Sequence, residues 1–205
     1  MSTHGEIIYD PTEDSAKQPS TIRYILSIVV AAALIAVFLR VLIMDVFYVP
    51  SGSMEPTIDT GDRVLSTKAL LDLTPMGNID NGDIIIFADD NNWTSGQNPI
   101  MVKRVIGTSG DTVQGLEDGT IIVNGEKLPE PYAQEATQRP FEVTVPEGEY
   151  WVMGDNRGNS ADSRTYLNST KNPFISEEST KGVVFFTVPG LPGFVEDYVV
   201  GGQGN

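Results

Sequence analysis

Apolar and polar positions alternate in two different ways along this chain. Residues 22–44, "IRYILSIVVAAALIAVFLRVLIM", form one apolar run with no charge from Tyr24 to Leu39. That length suffices for the roughly 20 residues with which a helix spans a bilayer. Arg23 and Arg40 stand near its ends, where their stems can reach the interface. Phe47 and Tyr48 then read as an aromatic belt at the far side. A core helix would show a polar stripe, and this run has none. A cleaved signal peptide would join a basic leader to a shorter apolar run. Here the preceding residues include Glu6, Asp10, Glu13 and Asp14. The pattern predicts an uncleaved anchor.

Beyond Asp45 the apolar stretches become short and are split by turn residues. Strands are predicted over 62–68, 83–88, 101–107, 111–115, 141–145, 149–155 and 182–188. "GTIIVNGEKL" (119–128) predicts a hairpin around Asn124-Gly125, a dipeptide suited to a type I′ turn. No segment here has an amphipathic helical period. The expected fold is mainly β: an antiparallel β-sheet domain over 45–190, preceded by a single N-terminal transmembrane α-helix over 22–44. Residues 1–21 read as a disordered tail, and 191–205 as a C-terminal tail too short and Gly-rich for a second span. Two long connections, 88–99 and 157–173, are candidates for function.

Composition then narrows the chemistry. The 205 residues carry 13 Lys and Arg against 28 Asp and Glu, a net charge of −15, which argues against nucleic acid as a partner. There is no Cys, which excludes thiol catalysis, disulfides and Cys-ligated zinc. The single His, His4, precedes the span, so the β-domain should lie on the other side of it. Nucleophilic chemistry in that domain must run without imidazole, and no metal or cofactor is expected.

A serine nucleophile then needs another base, and a lysine serves if burial keeps its amine neutral. "VPSGSMEPTI" (49–58) offers Ser51 and Ser53 on a turn just after the apolar run. Of the lysines in the domain, Lys127, Lys171 and Lys181 lie in polar surroundings and should stay charged. Lys103 stands in the apolar strand "MVKRVIG" beside Arg104. Adjacent strand residues face opposite sides, so one cation should point inward, and arginine cannot give up its proton. Two ordinary surface charges would fit the same spacing. Further on, "GDNRGNSADSR" (154–164) places Asp162 near Arg164 and adds a hydroxyl, Ser160. By composition alone it is also a polar turn.

Taken in order, "PSGSMEPT", "GDIIIF", "VKRVIGTSGD" and "GDNRGNSADSR" resemble the type I signal peptidases of bacteria, the Ser-Lys leader peptidases. The resemblance covers the span and most of the β-domain. It implies Ser53 as nucleophile and Lys103 as general base, with Ser51 and the Ser53 N–H as the oxyanion hole. It also implies that Ser160 holds the lysine amine and that Asp162 and Arg164 form a supporting ion pair. The implied substrates are signal peptides of exported preproteins, cleaved after small residues at the outer face of the membrane. The cell membrane is the implied location, with membrane lipid around the span and the N-terminus cytoplasmic. Gly158 stands where relatives often carry an acid, and 165–181 is less like the family than what precedes it. A dedicated processing peptidase of narrow range, or an inactive membrane-anchored β-rich binding protein, would share several of these features. A penicillin-binding type of acyltransferase is excluded, since no Ser-x-x-Lys occurs.

Overall fold

A computed structural model of the chain describes residues 21–42, 44–67, 78–96, 100–134, 137–190 and 198–199. Most of both expected tails, with His4, lies outside them, as does Lys68, the remaining lysine of the β-domain. The chain divides between Leu39 and Arg40 into two compact units.

Helix α1 runs over Thr21–Leu42. It contains neither Gly nor Pro and is rich in Ala, Leu and Ile, so nothing interrupts its backbone hydrogen bonds. The window Thr21–Phe38 has a mean hydropathy of 2.3 and none of it is buried within the protein, so its length and composition suit a membrane crossing. The helix ends two residues earlier than the apolar run suggests. Met44–Tyr48 is strand β1, paired along its whole length with β2 (Arg63–Thr67). Phe47 is buried in the protein core, not displayed in an interfacial belt. Cross-strand pairing and burial of an aromatic ring decide the conformation of these five residues over continuation of the helix.

The rest of the large sheet comprises β3 (Ile84–Ala88), β4 (Ile100–Gly107), β9 (Glu149–Met153), β10 (Ile175–Ser176), β11 (Thr180–Val188) and β12 (Tyr198–Val199). Its order is β10-β9-β4-β3-β11-β2-β1-β12. All pairs are antiparallel except β1 with β12, where two residues of the expected C-terminal tail add a short parallel strand. A second sheet, ordered β7-β6-β5-β8, is built from β5 (Thr112–Gly115), β6 (Ile121–Val123), β7 (Glu126–Lys127) and β8 (Phe141–Thr144). Its β6–β7 turn has positive φ at both Asn124 (53°) and Gly125 (84°), as a type I′ turn requires.

Three apolar clusters form the core, and β4 enters all of them. Val102 packs with Phe47, Met54 and Ile58; Met101 and Val105 pack with Phe87, Trp93 and Val152; Ile106 packs with Val113 and Trp151. This is why "IMVKRVIG" reads as a nearly continuous apolar run instead of an alternating one: both of its faces are covered. The long loop after β3 is locked down too. The Trp93 ring stacks on Tyr166 with centroids 4.7 Å apart, and its Nε1 donates to the Asn172 carbonyl at 2.8 Å. The Asp89 carboxylate accepts from the backbone N–H groups of Trp93 and Thr94. The 165–174 segment thereby gains a fixed seat against the core.

Gly182 marks the tightest crossing between strands. A Cβ there would lie 1.7 Å from the Thr67 carbonyl oxygen, so β11 could keep its place only by moving off β2. Gly182→Ala is expected to cost about 1–3 kcal/mol or more of stability, as overpacking of a rigid site does, read as a lower midpoint in urea. An unchanged midpoint would mean that the two strands separate more easily than this approach implies.

Candidate active site

Ser53 sits on a 3₁₀ turn, Gly52–Met54, that leaves β1 and is held by what surrounds it. Met54 is fully buried in the first apolar cluster, so the turn is anchored by the residue after the serine. Its carbonyl accepts from Thr57 N at 2.9 Å and Ile58 N at 3.0 Å, which closes the turn. Ser53 itself is 5% exposed.

Lys103 reaches this hydroxyl from the middle of β4. It is 2% exposed, and its Nζ donates to Ser53 Oγ at 2.8 Å and to the Val102 carbonyl at 2.9 Å. Burial lowers its pKa to about 8, against the pull of the Asp162 and Asp155 carboxylates, which favour the ammonium. Burial outweighs both carboxylates. The neighbouring Arg104 faces the other side of the strand and is buried as well, contrary to the expectation that only one of the two cations loses water. It is matched by Asp155: Nε donates to Oδ1 at 2.8 Å and Nη2 to Oδ2 at 2.6 Å. Nη1 donates to the Gly82 carbonyl at 2.7 Å, and the guanidinium lies 3.9 Å from the centroid of the Tyr132 ring. With its donors engaged and one face stacked, an arginine that cannot deprotonate is buried by pairing.

The loop after β9 closes the site. Gly154 passes so near that a Cβ would lie 2.4 Å from the Ser53 carbonyl oxygen and 2.2 Å from Ser160 Oγ, so only glycine fits. Asp162 caps the short helix α2 (Ser163–Tyr166) and gathers the loop around one carboxylate. It accepts from Gly154 N at 3.1 Å, Arg164 Nε at 2.9 Å and Arg164 Nη2 at 2.7 Å. Arg164 also donates to the Arg157 carbonyl, and Arg157 pairs with Glu130. Asn156 donates to the turn itself, from Nδ2 to the Gly52 carbonyl at 3.0 Å and from its backbone to the Ser53 carbonyl at 3.1 Å.

Of the residues singled out in the sequence, Ser53 and Lys103 are in contact and Asp162 and Arg164 are paired. Ser51 precedes the turn, half-buried, and its hydroxyl makes no capping bond. Ser160 departs from its expected contact. The lysine amine takes the Val102 carbonyl and Ser53, while Ser160 Oγ is buried without a hydrogen-bond partner among the described residues. Lys127 and Lys181 are exposed, and Lys171 lies 5.5 Å from the centroid of the Tyr166 ring. Sequence reasoning overlooked Arg104 as a buried member, together with Asp155, Asn156 and Arg157. All four stand inside the motifs it quoted. Glu130 and Tyr132, in "LPEPY", carried no such mark. No cluster of residues suited to a metal occurs among the described residues.

A serine hydroxyl held against a dry lysine on an antiparallel β-domain is an arrangement that a peptidase could use. Residues 21–189 match the family described as signal peptidase, peptidase S26, and the chain belongs to that family. It is 34% identical over 181 residues to signal peptidase I of Bacillus licheniformis, covering 83% of this chain and 91% of that one. It is 35% identical over 172 residues to signal peptidase I U of Bacillus subtilis (strain 168), covering 79% and 86%. A crystal structure of a signal peptidase I from Enterococcus faecalis V583 is 30% identical, with a TM-score of 0.42, and covers 53% of this chain and 97% of that one.

The depressed pKa of Lys103 has a consequence for stability. An unfolded lysine titrates near 10.5 and the folded one near 8, so the unfolded chain binds more protons between these values. The cost of burying the amine is therefore fully present below about pH 8 and disappears as pH rises to 10.5. Its size is on the order of 3 kcal/mol. Lys103→Met is expected to raise the thermal midpoint at pH 7 and to lose that advantage by pH 10.5. A variant less stable than wild type at pH 7 would contradict this.

Proposed function

We propose that this protein is a membrane-anchored serine endopeptidase that removes N-terminal signal peptides from exported preproteins at the outer face of the membrane. The observation that carries the reading is the 2.8 Å contact between Lys103 Nζ and Ser53 Oγ in a dry site. Once Lys103 is neutral, the polarity of that contact reverses and the Ser53 hydroxyl donates to the amine. Ser53 Oγ attacks the scissile carbonyl as its proton passes to Nζ. The oxyanion is held by the Ser53 N–H and the Ser51 hydroxyl. The Lys103 ammonium then protonates the departing amine, the C–N bond breaks, and the peptide stays on Ser53 as an ester. Water, deprotonated by the same amine, releases it and restores Ser53. The Val102 carbonyl does the orienting expected of Ser160, by holding one amine hydrogen. Arg104–Asp155 and Arg164–Asp162 hold the surrounding loops.

Membership of the family supports signal peptides as substrates. An extended chain fits against β4: residues 100–104 pair with β3, whereas the ladder to β9 begins only at Arg104. Strand addition there brings a substrate backbone beside Lys103. Helix α1 supplies the anchor, with the tail before it in the cytoplasm and the β-domain outside.

Ser53→Ala and Lys103→Ala should each abolish cleavage of a preprotein by the detergent-solubilised enzyme, with the new N-terminus of the wild-type product mapped by mass spectrometry. Lys103→Arg should be inactive at every pH, because guanidinium stays protonated. For the wild type, the active form is the neutral amine, so kcat/KM should rise with pH and level off above about 8. Turnover by the arginine variant would overturn the assignment of the base. Digestion of the β-domain by protease added to intact spheroplasts tests the orientation, and protection would reverse it.

A further inference from the structure

Two backbone carbonyls of the turn that carries Ser53, those of Gly52 and Ser53, are held from outside it by Asn156. Asn156 Nδ2 donates to the Gly52 carbonyl at 3.0 Å, and Asn156 N donates to the Ser53 carbonyl at 3.1 Å. A backbone carbonyl only accepts, so the side-chain atom facing Gly52 is the amide nitrogen. The peptide unit joining Gly52 to Ser53 is planar and trans, with its C=O and N–H pointing in opposite directions. Whatever fixes the Gly52 carbonyl therefore aims the Ser53 N–H. Glycine leaves this unit freer to rotate than any other residue would. Among the described residues the other bond to that carbonyl comes from the N–H of Glu55, which caps the turn, at 3.2 Å.

Asn156 is itself held firmly. The preceding Asp155 is clamped by Arg104, Gln134 N donates to the Asp155 carbonyl at 2.9 Å, and Gln134 forms a parallel bridge with Asn156. On the other side Asn159 N donates to the Asn156 carbonyl at 3.0 Å. We propose that Asn156 is a positioning residue that aims the Ser53 N–H at the developing oxyanion through the Gly52–Ser53 peptide plane, without touching the substrate. The proposal rests on the reading of Ser53 as nucleophile and of its N–H as oxyanion donor. It makes the second residue after Gly154 in "GDNRGNS" part of the oxyanion hole's support.

A peptide aldehyde ending in alanine separates this role from others. Ser53 Oγ adds to the aldehyde carbon, the Ser53 proton passes to Lys103, and the carbonyl π pair becomes an oxyanion in the hole, with no group leaving. The corresponding peptide alcohol occupies the same site without that step. Inhibition constants for both would be measured on the full-length chain in detergent for wild type, Ser53→Ala, Asn156→Ala and Asn156→Asp, with kcat, KM, the pH profile and thermal midpoints. Wild type should prefer the aldehyde, and Ser53→Ala should erase the preference. Asn156→Ala should reduce the preference and kcat together by about 10- to 100-fold. Its alcohol affinity and KM should stay within about twofold of wild type, and the acidic limb of its pH profile should not move. Asn156→Asp keeps the shape but sets a carboxylate oxygen against the Gly52 carbonyl, so it should lose at least as much. It carries the comparison if the alanine variant does not fold. An undiminished preference in both Asn156 variants overturns the proposal, as does equal loss of aldehyde and alcohol affinity or a displaced acidic limb. A wild type with no Ser53-dependent preference overturns the underlying reading instead.

Discussion

A lysine amine must stay dry between two buried carboxylates, and the β-domain is arranged around that constraint. Asp155 and Asp162 both draw a proton towards Lys103, yet burial prevails. Each carboxylate is already engaged by an arginine, Asp155 by Arg104 and Asp162 by Arg164. Without these partners, two buried negative charges would be costly in themselves and would hold the ammonium form more strongly. The arginines are supplied locally. One is the next residue on the lysine's own strand, facing the opposite way, and the other is the second residue of the short helix that Asp162 caps. A buried lysine flanked by carboxylates thus brings two ion pairs with it.

That arrangement explains why the small sheet bears on the site at all. Residues 130–134 follow β7 and run against the 154–164 loop. There Glu130 pairs with Arg157, Tyr132 covers Arg104, and Gln134 bonds to the Asp155 carbonyl. Burial and the nearby Glu130 carboxylate push the Tyr132 phenol up, so it remains a neutral ring over the guanidinium. The segment covers one face of the buried Arg104 guanidinium. The core contributes too, since the fully buried Met54 fixes the Ser53 turn to the same cluster that holds Val102.

The strands of β-length apolar runs were legible in the sequence, because each run is bounded by turn residues and buries its side chains. β1 was hidden because its apolar residues continue the run of the helix, and only cross-strand pairing separates the two. β10, β12 and α2 are too short to show a period. Alternation along β4 correctly placed Lys103 and Arg104 on opposite faces but could not reveal that both faces are covered, since the cover comes from the loops at 130–134 and 154–164. The contact between Ser53 and Lys103 was legible through the motifs, once the absence of Cys and the place of the single His had directed attention to a serine and a lysine. Ser160 shows where a motif stops: it fixes a position in the chain, and side-chain packing decides whether a hydroxyl reaches the amine.

Buried pairing also bears on how the enzyme meets its surroundings. The chain has a net charge of −15, but the three arginines around the site, Arg104, Arg157 and Arg164, are each matched by one carboxylate with little exposure to solvent. Counter-ions screen exposed charges over a Debye length of about 8 Å at physiological ionic strength, and they act much less on pairs from which water is excluded. Most other carboxylates among the described residues are exposed or half-buried, where salt can screen them without disturbing the site. The geometry of the site should accordingly tolerate wide changes in salinity.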